Sequence, residues 1–316
     1  MKLNHLRDVL AVAEYGSLRA AGRHLRIAQP AISRSIREME HELGVALFER
    51  NVKGAKLTST GMAFIKRARA IQSEVQRARD EIEQIKGHST SEMSVGMSTA
   101  SAMVIMPAVL QDFRKRFPDS VLKMSETLFQ PIEPELLDGT VDFYVGPLDP
   151  DYSSPQLSVE WLFENRRMVM ARKGHPLASA TSLKQLVDAK WIRPTLSTRN
   201  TEADFDIDFE QLGLPKPNVV LHARSALITL IAVTSSDLLT VLPKQWLDIA
   251  ETANLLCALD IVEPMYVPPM CIVRRHDMPL TPMAEHFCDL IRRAGTQYAK
   301  VHKLKVHERP RENAIP

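Results

Sequence analysis

Four polar side chains near the N-terminus could recognise a nucleic acid: Gln29, Ser33, Arg34 and Arg37. On a helix their spacing places them along one side, where amide, hydroxyl and guanidinium groups can bond to base edges or phosphates in a major groove. The two arginines could instead form short-range helical ion pairs with Glu38 and Glu40. This segment alone leaves open whether it is a DNA-reading surface or an ordinary solvated helix face.

The surrounding sequence predicts three helices that would position this face. Leucines and alanines recur at helical spacing from Leu3, and Tyr15-Gly16 ends that pattern. Ser17 can cap a second, short helix. A third begins at Gln29-Pro30, because proline is tolerated in a first helical turn, and Gly44 ends it. Its expected buried stripe is Ile32, Ile36, Met39 and Leu43.

A basic hairpin follows the third helix. Between Leu47 and Thr58, two short strands flank a turn that contains Gly54, so cations would project from its tip toward a DNA backbone or minor groove. Two helices, a recognition helix and a basic wing together favour the DNA-binding interpretation. The predicted DNA-binding residues are Gln29, Pro30, Ser33, Arg34, Arg37, Arg50, Lys53 and Lys56.

A narrow apolar stripe runs along the next segment, with alternating steps of four and three residues. This heptad pattern is typical of a two-helix coiled coil, and the charged residues between the apolar ones suit its solvated flanks. A single amphipathic helix lying on its own domain is the alternative. The predicted dimerisation residues are Phe64, Ala68, Ile71, Val75, Ala78, Ile82 and Ile85.

Four motifs follow one another in this region: Ser-Leu-Arg-Ala-Ala at 17–21, Ala-Gln-Pro-Ala-Ile-Ser at 28–33, Leu-Gly-Val-Ala-Leu-Phe-Glu-Arg at 43–50 and Leu-Thr-Ser-Thr-Gly at 57–61. In this order they strongly resemble LysR-type transcriptional regulators. The resemblance implies linker helices that pair two subunits, dimers or tetramers, and promoter DNA and RNA polymerase as partners. One departure is Ala28, where the family usually has serine, so a weaker cap or phosphate contact is expected there.

From Met93 onward the sequence predicts strands alternating with helices, which is typical of a parallel sheet with helices on both faces. Ligands gather at the carboxyl ends of such strands, near helix N-termini that favour anions. The resemblance implies an effector domain of the periplasmic-binding-protein type, with two α/β lobes around a cleft. The candidate effector-binding residues are Ser98, Thr99, Ser101, Thr127, Phe129, Thr195, Arg199 and Ser225.

Each of these candidates also has a structural explanation. Any single hydroxyl among Ser98, Thr99 and Ser101 is explained by helix capping. Arg199 could hold an aromatic carboxylate or sulfonate bidentately, or could pair with acidic neighbours on the surface. Phe129 could stack on an aromatic effector or fill the lobe. A small, anionic effector is the expectation.

We therefore expect an α/β multi-domain chain with an N-terminal all-α winged helix-turn-helix, a long linker helix and a two-lobed effector domain. The boundaries are 1–60 for the winged helix-turn-helix, 61–86 for the linker helix, 87–92 for a hinge, 93–165 with 269–297 for lobe I, 166–268 for lobe II, and 298–316 for a basic, disordered tail.

Composition supports this division and limits the alternatives. Net charge is +6 over residues 1–90, −7 over 91–299 and +3 over 300–316, so a basic head that meets a polyanion is expected. No apolar run suits a membrane span and no signal-peptide pattern is present, so a cytoplasmic protein is expected. No catalytic motif or cofactor loop is recognisable, which disfavours an enzyme with the same lobes. A thiol-based redox switch is a further alternative, although apolar neighbours favour buried packing of Cys257, Cys271 and Cys288.

Overall fold

The structure is a computed structural model that describes residues 1–51, 54–86, 91–194, 205–265 and 267–306; for Arg50 and Asn51 it describes the backbone alone. The chain forms two compact units. The first comprises Met1–Gly87 with Leu137–Thr140, and the second comprises His88–Leu136 with Val141–Pro316.

The first unit packs α1 (Leu3–Tyr15), α2 (Leu18–Leu25) and α3 (Gln29–Leu43) around one core. The predicted boundary residues are observed: Gly16 follows α1, the Ser17 side chain caps α2 by accepting from the Ala20 N–H, and Gly44 follows α3. The expected stripe of α3 is buried except for Leu43, which is 39% exposed. That prediction was wrong because Leu43 lies in the final turn, beyond Met39, the last residue of α3 in the core.

The predicted wing is an antiparallel hairpin of β1 (Phe48–Asn51) and β2 (Gly54–Leu57). Its pairing runs from Phe48 opposite Leu57 to Asn51 opposite Gly54. Leu47 and Phe48 are buried in the helical core, so the base of the wing is part of the same packed structure.

The linker helix α4 (Ser59–Ile85) divides into a buried and an exposed part. Ala68 is fully buried in the core of the first unit, so it is not available to a partner helix, contrary to the heptad prediction. Phe64 packs against the same core and is half-buried. The reason is that the first turns of α4 lie on α1, as the alternative interpretation proposed. Farther along, Ile71, Ile82 and Ile85 are 38%, 52% and 70% exposed.

The first sheet of the second unit contains β3 (Glu92–Met97), β4 (Val121–Glu126), β5 (Phe143–Pro147), β6 (Leu157–Phe163) and β12 (Met270–Arg275). Its order is β4-β3-β5-β12-β6. The helices that accompany it are α5 (Thr99–Arg116), α6 (Phe129–Leu137) and α10 (Pro282–His302). Apolar side chains of α5, α10 and the sheet form one core.

The second sheet contains β7 (Arg167–Arg172), β8 (Lys190–Pro194), β9 (Asn218–Ala223), β10 (Leu239–Pro243) and β11 (Leu256–Ala258). Its order is β11-β7-β10-β8-β9. Its helices are α7 (Asp206–Gln211), α8 (Ala226–Thr234) and α9 (Ala250–Ala253), with short 3-10 helices at Leu183–Leu186 and Lys244–Leu247.

Both sheets are mixed, whereas the alternation of strands and helices predicted parallel ones. β3 is parallel to β4 and β5, but β12 is antiparallel to β5 and β6. In the second sheet β8 is parallel to β9 and β10, while β7 is antiparallel to β10 and β11. The chain crosses to the second sheet directly after β6 and returns to the first sheet before β12. Parallel neighbours need a crossover helix between them, and β6 and β12 are not joined to a neighbour in this way, so they pair antiparallel.

Two predicted boundaries need correction. The C-terminal tail was expected to be disordered from residue 298, but α10 continues to His302. Tyr298 lies with its ring centre 5.1 Å from that of Phe163, and Ala299 is buried, because α10 covers the first sheet. Of the predicted hinge at 87–92, Glu92 already belongs to β3, and residues 87–90 lie outside the described part of the chain.

Candidate DNA-binding surface and ligand cleft

The polar face of α3 is open to solvent. Its exposed members are Gln29, Pro30, Arg34 and Arg37. Ser33 is half-buried. The Arg34 side chain is 79% exposed and donates to Glu38 Oε1 at 2.8 Å, and this hydrogen bond lowers the pKa of Glu38. The ion-pair interpretation therefore holds for Arg34, but exposed pairs of this kind are weak and leave the guanidinium able to turn to another anion.

Glu40, which the ion-pair interpretation assigned to an arginine, instead connects α3 to the wing. Its Oε1 accepts from the Leu47 N–H at 2.8 Å and from the Phe48 N–H at 3.2 Å. One carboxylate oxygen thus satisfies two backbone donors at the start of β1. Both donors belong to buried residues, so this charge-assisted contact connects the recognition helix to the buried base of the wing.

The wing is also attached to the turn between α1 and α2. The Ala55 N–H donates to the Gly16 carbonyl at 2.9 Å. Lys56 on β2 is exposed. Lys53 lies outside the described residues and Arg50 is described only by its backbone, so the contacts of these two cations stay predictions.

The N-terminus of α3 lacks a capping side chain within the described residues. Ala28 is its N-cap residue, whereas the hydroxyls of Ser17 and Thr58 cap α2 and α4. A capping side chain typically contributes about 1 kcal/mol. The departure from the family pattern at Ala28 therefore leaves backbone N–H groups in the first turn of α3 without a side-chain acceptor.

A basic stretch that was not singled out from the sequence surrounds these residues. Between Tyr15 and Arg37 the chain contains no aspartate or glutamate but five arginines, namely Arg19, Arg23, Arg26, Arg34 and Arg37. All five are exposed. The sequence signal that could have identified this stretch is its lack of carboxylates. A net charge summed over the first 90 residues does not show it, because acidic residues elsewhere in that range are included. Because DNA is a dense polyanion, α2 and the turn before α3 join the candidate binding surface.

In the second unit, a cleft that is partly open to solvent is lined by residues of both sheets and their helices. Most of its lining is apolar: Ala100, Leu128, Pro147, Pro194, Ala226, Val241, Leu242, Pro243, Trp246, Val267, Pro268 and Met270. The polar members are Ser98, Thr99, Asn165, Arg167 and Thr229. A concave, mainly apolar site with a few polar groups is typical of a small-molecule pocket.

Two of the predicted effector residues, Ser98 and Thr99, line this cleft at the start of α5. Ser98 Oγ accepts from the Ser101 N–H at 3.2 Å and lies 2.7 Å from Ser101 Oγ, so capping and cleft lining coexist. Thr99 Oγ1 donates to Glu126 at 2.5 Å. The first residue of α8, Ala226, also lines the cleft, so two helices begin there. Helix N-termini favour a negatively charged group.

The structure places the other described candidates outside the cleft lining: Ser101, Thr127, Phe129 and Ser225. Ser101 is fully buried behind Ser98, and Thr127 donates to the Leu128 carbonyl. Phe129 is 1% exposed and packs edge-on against Tyr152, so it fills the lobe rather than facing a ligand. Thr195 and Arg199 lie outside the described residues.

Sequence reasoning missed Asn165, Arg167 and Trp246 as cleft residues. Asn165 Oδ1 accepts from the Arg166 N–H at 2.9 Å and from Gln245 Nε2 at 3.1 Å. No local pattern signals these positions, because they meet only where the chain crosses from the first sheet to the second.

The cysteines lie in environments that disfavour thiol chemistry. Burial raises the pKa of Cys271 to about 12 and also raises the pKa of Cys288. Burial raises the pKa of the half-buried Cys257 as well. Since the thiolate is the reactive form, these environments give no support to a redox switch.

None of the helices in the described part of the chain is both long and apolar enough to cross a membrane. Nor do His, Cys, Asp and Glu side chains there form a group of three or more that could hold a metal ion.

Comparison with known proteins assigns both units to one family. Residues 3–62 match the model for the bacterial regulatory helix-turn-helix protein, lysR family, and residues 86–296 match the LysR substrate binding domain. The HTH-type transcriptional regulator GbpR of Azospirillum brasilense is 27% identical over 299 residues, covering 93% of this chain and 87% of that protein. TdcA of Escherichia coli strain K12, also named an HTH-type transcriptional regulator, is 27% identical over 242 residues, or 77% of each chain.

The fold is shared with a solved member of this family. The crystal structure of full-length CbnR in complex with its target DNA has a TM-score of 0.67 at 22% identity and covers 93% of this chain and 100% of that chain. The relatives found are named as regulators of transcription and not as enzymes. These matches confirm the resemblance seen in the N-terminal motifs and the order of a winged helix-turn-helix followed by an α/β effector domain. The chain is a member of the LysR family of DNA-binding transcriptional regulators.

Proposed function

We propose that the protein binds an inverted repeat in promoter DNA as a homodimer or tetramer, and that a small anionic effector in the cleft changes this binding. The observation that carries the DNA part is the exposed polar face of α3, which Glu40 connects to the wing. On this surface Gln29, Ser33 and Arg34 would reach base edges, while Arg37 and the wing cations would contact phosphates. RNA polymerase is then a further partner, and the cytoplasm is the compartment of action.

Pairing of two chains is supported by the exposed part of α4. Burying the exposed parts of Ile71, Ile82 and Ile85 in both chains would contribute on the order of 5–10 kcal/mol. Loss of translational and rotational freedom costs a similar amount, about 4–15 kcal/mol. The linker helices alone would thus give a marginal dimer, so a second contact is needed.

Helix α8 offers such a contact. Leu227, Ile228 and Ile231 are 64%, 52% and 56% exposed on one side of this helix. Apolar side chains clustered in this way typically mark an interaction surface. A second copy of the chain is the occupant we propose, which would reinforce the dimer or extend it to a tetramer.

The cleft suits an effector with an apolar body and one anionic end, such as an aromatic carboxylate or sulfonate. Its walls are mainly aliphatic side chains and prolines, with Trp246 as an aromatic surface. Its polar groups include Ser98, Thr99 and Arg167, and both α5 and α8 begin at it. Donors at helix N-termini together with an arginine favour a carboxylate or sulfonate over a neutral group.

The DNA proposal is tested with an operator selected from a random-sequence library. Arg34→Ala should weaken binding to that operator by about 10- to 100-fold, since a base contact contributes about 1–3 kcal/mol of discrimination. Arg79→Ala is the matched control, because Arg79 is an exposed arginine on α4. If both variants keep the oligomeric state of the unmodified protein and Arg34→Ala leaves the affinity and the footprint unchanged, α3 is not the DNA-recognition helix.

The effector proposal is tested by thermal shift with benzoate, benzenesulfonate and neutral benzamide. A ligand at about 100 times its dissociation constant stabilises a protein by about 2.7 kcal/mol, which is readily detected. We expect the anions to stabilise the chain, benzamide not to, and Ala226→Trp, which would fill the cleft at the start of α8, to abolish the shift. Equal stabilisation by benzamide would contradict an anionic effector, and a shift that survives Ala226→Trp would place it elsewhere.

A further inference from the structure

Helix α2 ends in a turn for which glycine is the usual residue. Arg26, which follows the helix, has φ 56° and ψ 40°, in the left-handed region. Its N–H donates to the Arg23 carbonyl at 3.3 Å, and the Ile27 N–H donates to the Gly22 carbonyl at 2.9 Å. These two bonds form a Schellman motif, whose left-handed position most often holds glycine because a Cβ is unfavourable there.

The other two helices of the DNA-binding motif follow this preference. Gly16 after α1 and Gly44 after α3 both have φ 69°. By the same rule, residue 26 should be glycine. A residue held in a conformation that its side chain disfavours is more frequent at functional positions, so the reason for an arginine here has to be sought in its side chain.

The Arg26 side chain is exposed, and its guanidinium makes no hydrogen bond or ion pair with any residue that the structure describes. Arg26 precedes Gln29, the first residue of α3, by three positions. It also lies within the stretch from Tyr15 to Arg37 that contains five arginines and no carboxylate. A cation that has no side-chain partner among the described residues is thus placed at the entrance to the recognition helix.

An interaction with the helix dipole is the competing explanation, because a cation at a helix C-terminus is favourable. Lys303, which follows α10 in the second unit, adopts the same left-handed conformation, with φ 53°. Its N–H and that of Leu304 form the same pair of bonds, to the Lys300 and Ala299 carbonyls. If the dipole were the whole reason, Arg26 and Lys303 would be equivalent and neither would affect DNA binding.

We propose that Arg26 binds a DNA phosphate beside the first turn of α3 and occupies its left-handed position for this charge, an inference that rests on the DNA-binding surface proposed above. A phosphate contact carries no sequence information but fixes the register of the protein on the duplex. Arg26 would therefore anchor the start of α3, while side chains farther along the helix read bases.

The test compares full-length Arg26→Gly, Arg26→Lys and Lys303→Gly with the unmodified protein. Binding to a fluorescein-labelled duplex of mixed sequence is measured by anisotropy across a range of salt concentrations, because a phosphate contact needs no operator. The slope of log K against log [salt] is negative, and each phosphate contact that is lost reduces its magnitude by about 0.9. If the affinities converge at about 1 M salt, Arg26→Gly binds about 15-fold more weakly at about 50 mM and about fourfold at about 200 mM.

We expect Arg26→Lys and Lys303→Gly to keep the slope of the unmodified protein, and Arg26→Gly to melt at the same or a higher temperature. The inference would be overturned if the slope for Arg26→Gly were unchanged. It would also be overturned if the magnitude of the slope decreased as much for Lys303→Gly or for Arg26→Lys as for Arg26→Gly. Arg34→Ala, measured in parallel on the selected operator, distinguishes a failure of the Arg26 inference from a failure of the proposed DNA-binding surface. If it weakens operator binding while Arg26→Gly keeps its slope, only Arg26 has been misassigned; if neither variant has an effect, the surface around α3 fails as well.

Discussion

Replacing Glu40 should uncouple the wing from the recognition helix. Glu40 Oε1 accepts from the N–H groups of Leu47 and Phe48, which are 1% and 6% exposed. A buried N–H left without an acceptor costs about 1–3 kcal/mol, so Glu40→Ala should destabilise the first unit by at least about 2 kcal/mol. Glu40→Gln keeps an acceptor oxygen but loses its charge and should cost about half as much. For a unit of this size each kcal/mol lowers the melting temperature by about 4–8 °C.

DNA affinity distinguishes positioning from electrostatics by the sign of the effect. Removing a carboxylate close to DNA reduces repulsion, so charge alone predicts tighter binding for Glu40→Ala. Loss of the wing position predicts weaker binding instead. Glu42→Ala is the control, because Glu42 lies on the same helix, has a half-exposed side chain and pairs with the N-terminal ammonium of Met1 at 2.5 Å.

The measurements are calorimetric melting of the full chain and anisotropy with the selected operator. We expect Glu40→Ala to melt lower and bind more weakly than Glu42→Ala, with Glu40→Gln between Glu40→Ala and the unmodified protein. If Glu40→Ala matched Glu42→Ala in both melting and affinity, the two backbone contacts would not position the wing.

Three further predictions concern separate features. Ala28→Ser should raise the stability of the first unit by about 1 kcal/mol by capping α3, seen as a higher melting temperature; no rise would argue against a missing cap. Ile82→Asp should dissociate the assembly in analytical ultracentrifugation, whereas Val301→Asp, at a 64% exposed position on α10, should leave its mass unchanged. Because burial raises the pKa of Cys271 to about 12, its thiolate should become abundant only as the pH approaches that value. Cys271 of the native protein should therefore react slowly with iodoacetamide at about pH 8, and its rapid labelling would contradict its burial.

The first unit was largely predictable because its signals are local. Gly16, Ser17 and Gly44 mark the ends of helices, because capping and termination act over a single turn. The wing follows from short apolar runs around a basic turn. Leu43 was the exception, since whether the last turn of a helix is covered depends on the length of its neighbours. The same limit affected Ala68: a heptad pattern shows that one side of a helix is buried but not which partner buries it.

The sequence by itself determined the DNA-binding motif, the helical linker and the alternation of strands and helices, since capping, periodicity and turn chemistry act between near neighbours. Only the tertiary structure decided the contacts between distant segments. It brought Asn165, Arg167 and Trp246 to the cleft, turned Phe129 into the lobe and made Glu40 a partner of the wing rather than of an arginine. The physical reason is that such contacts depend on how strands cross and helices pack, which no spacing along the chain encodes.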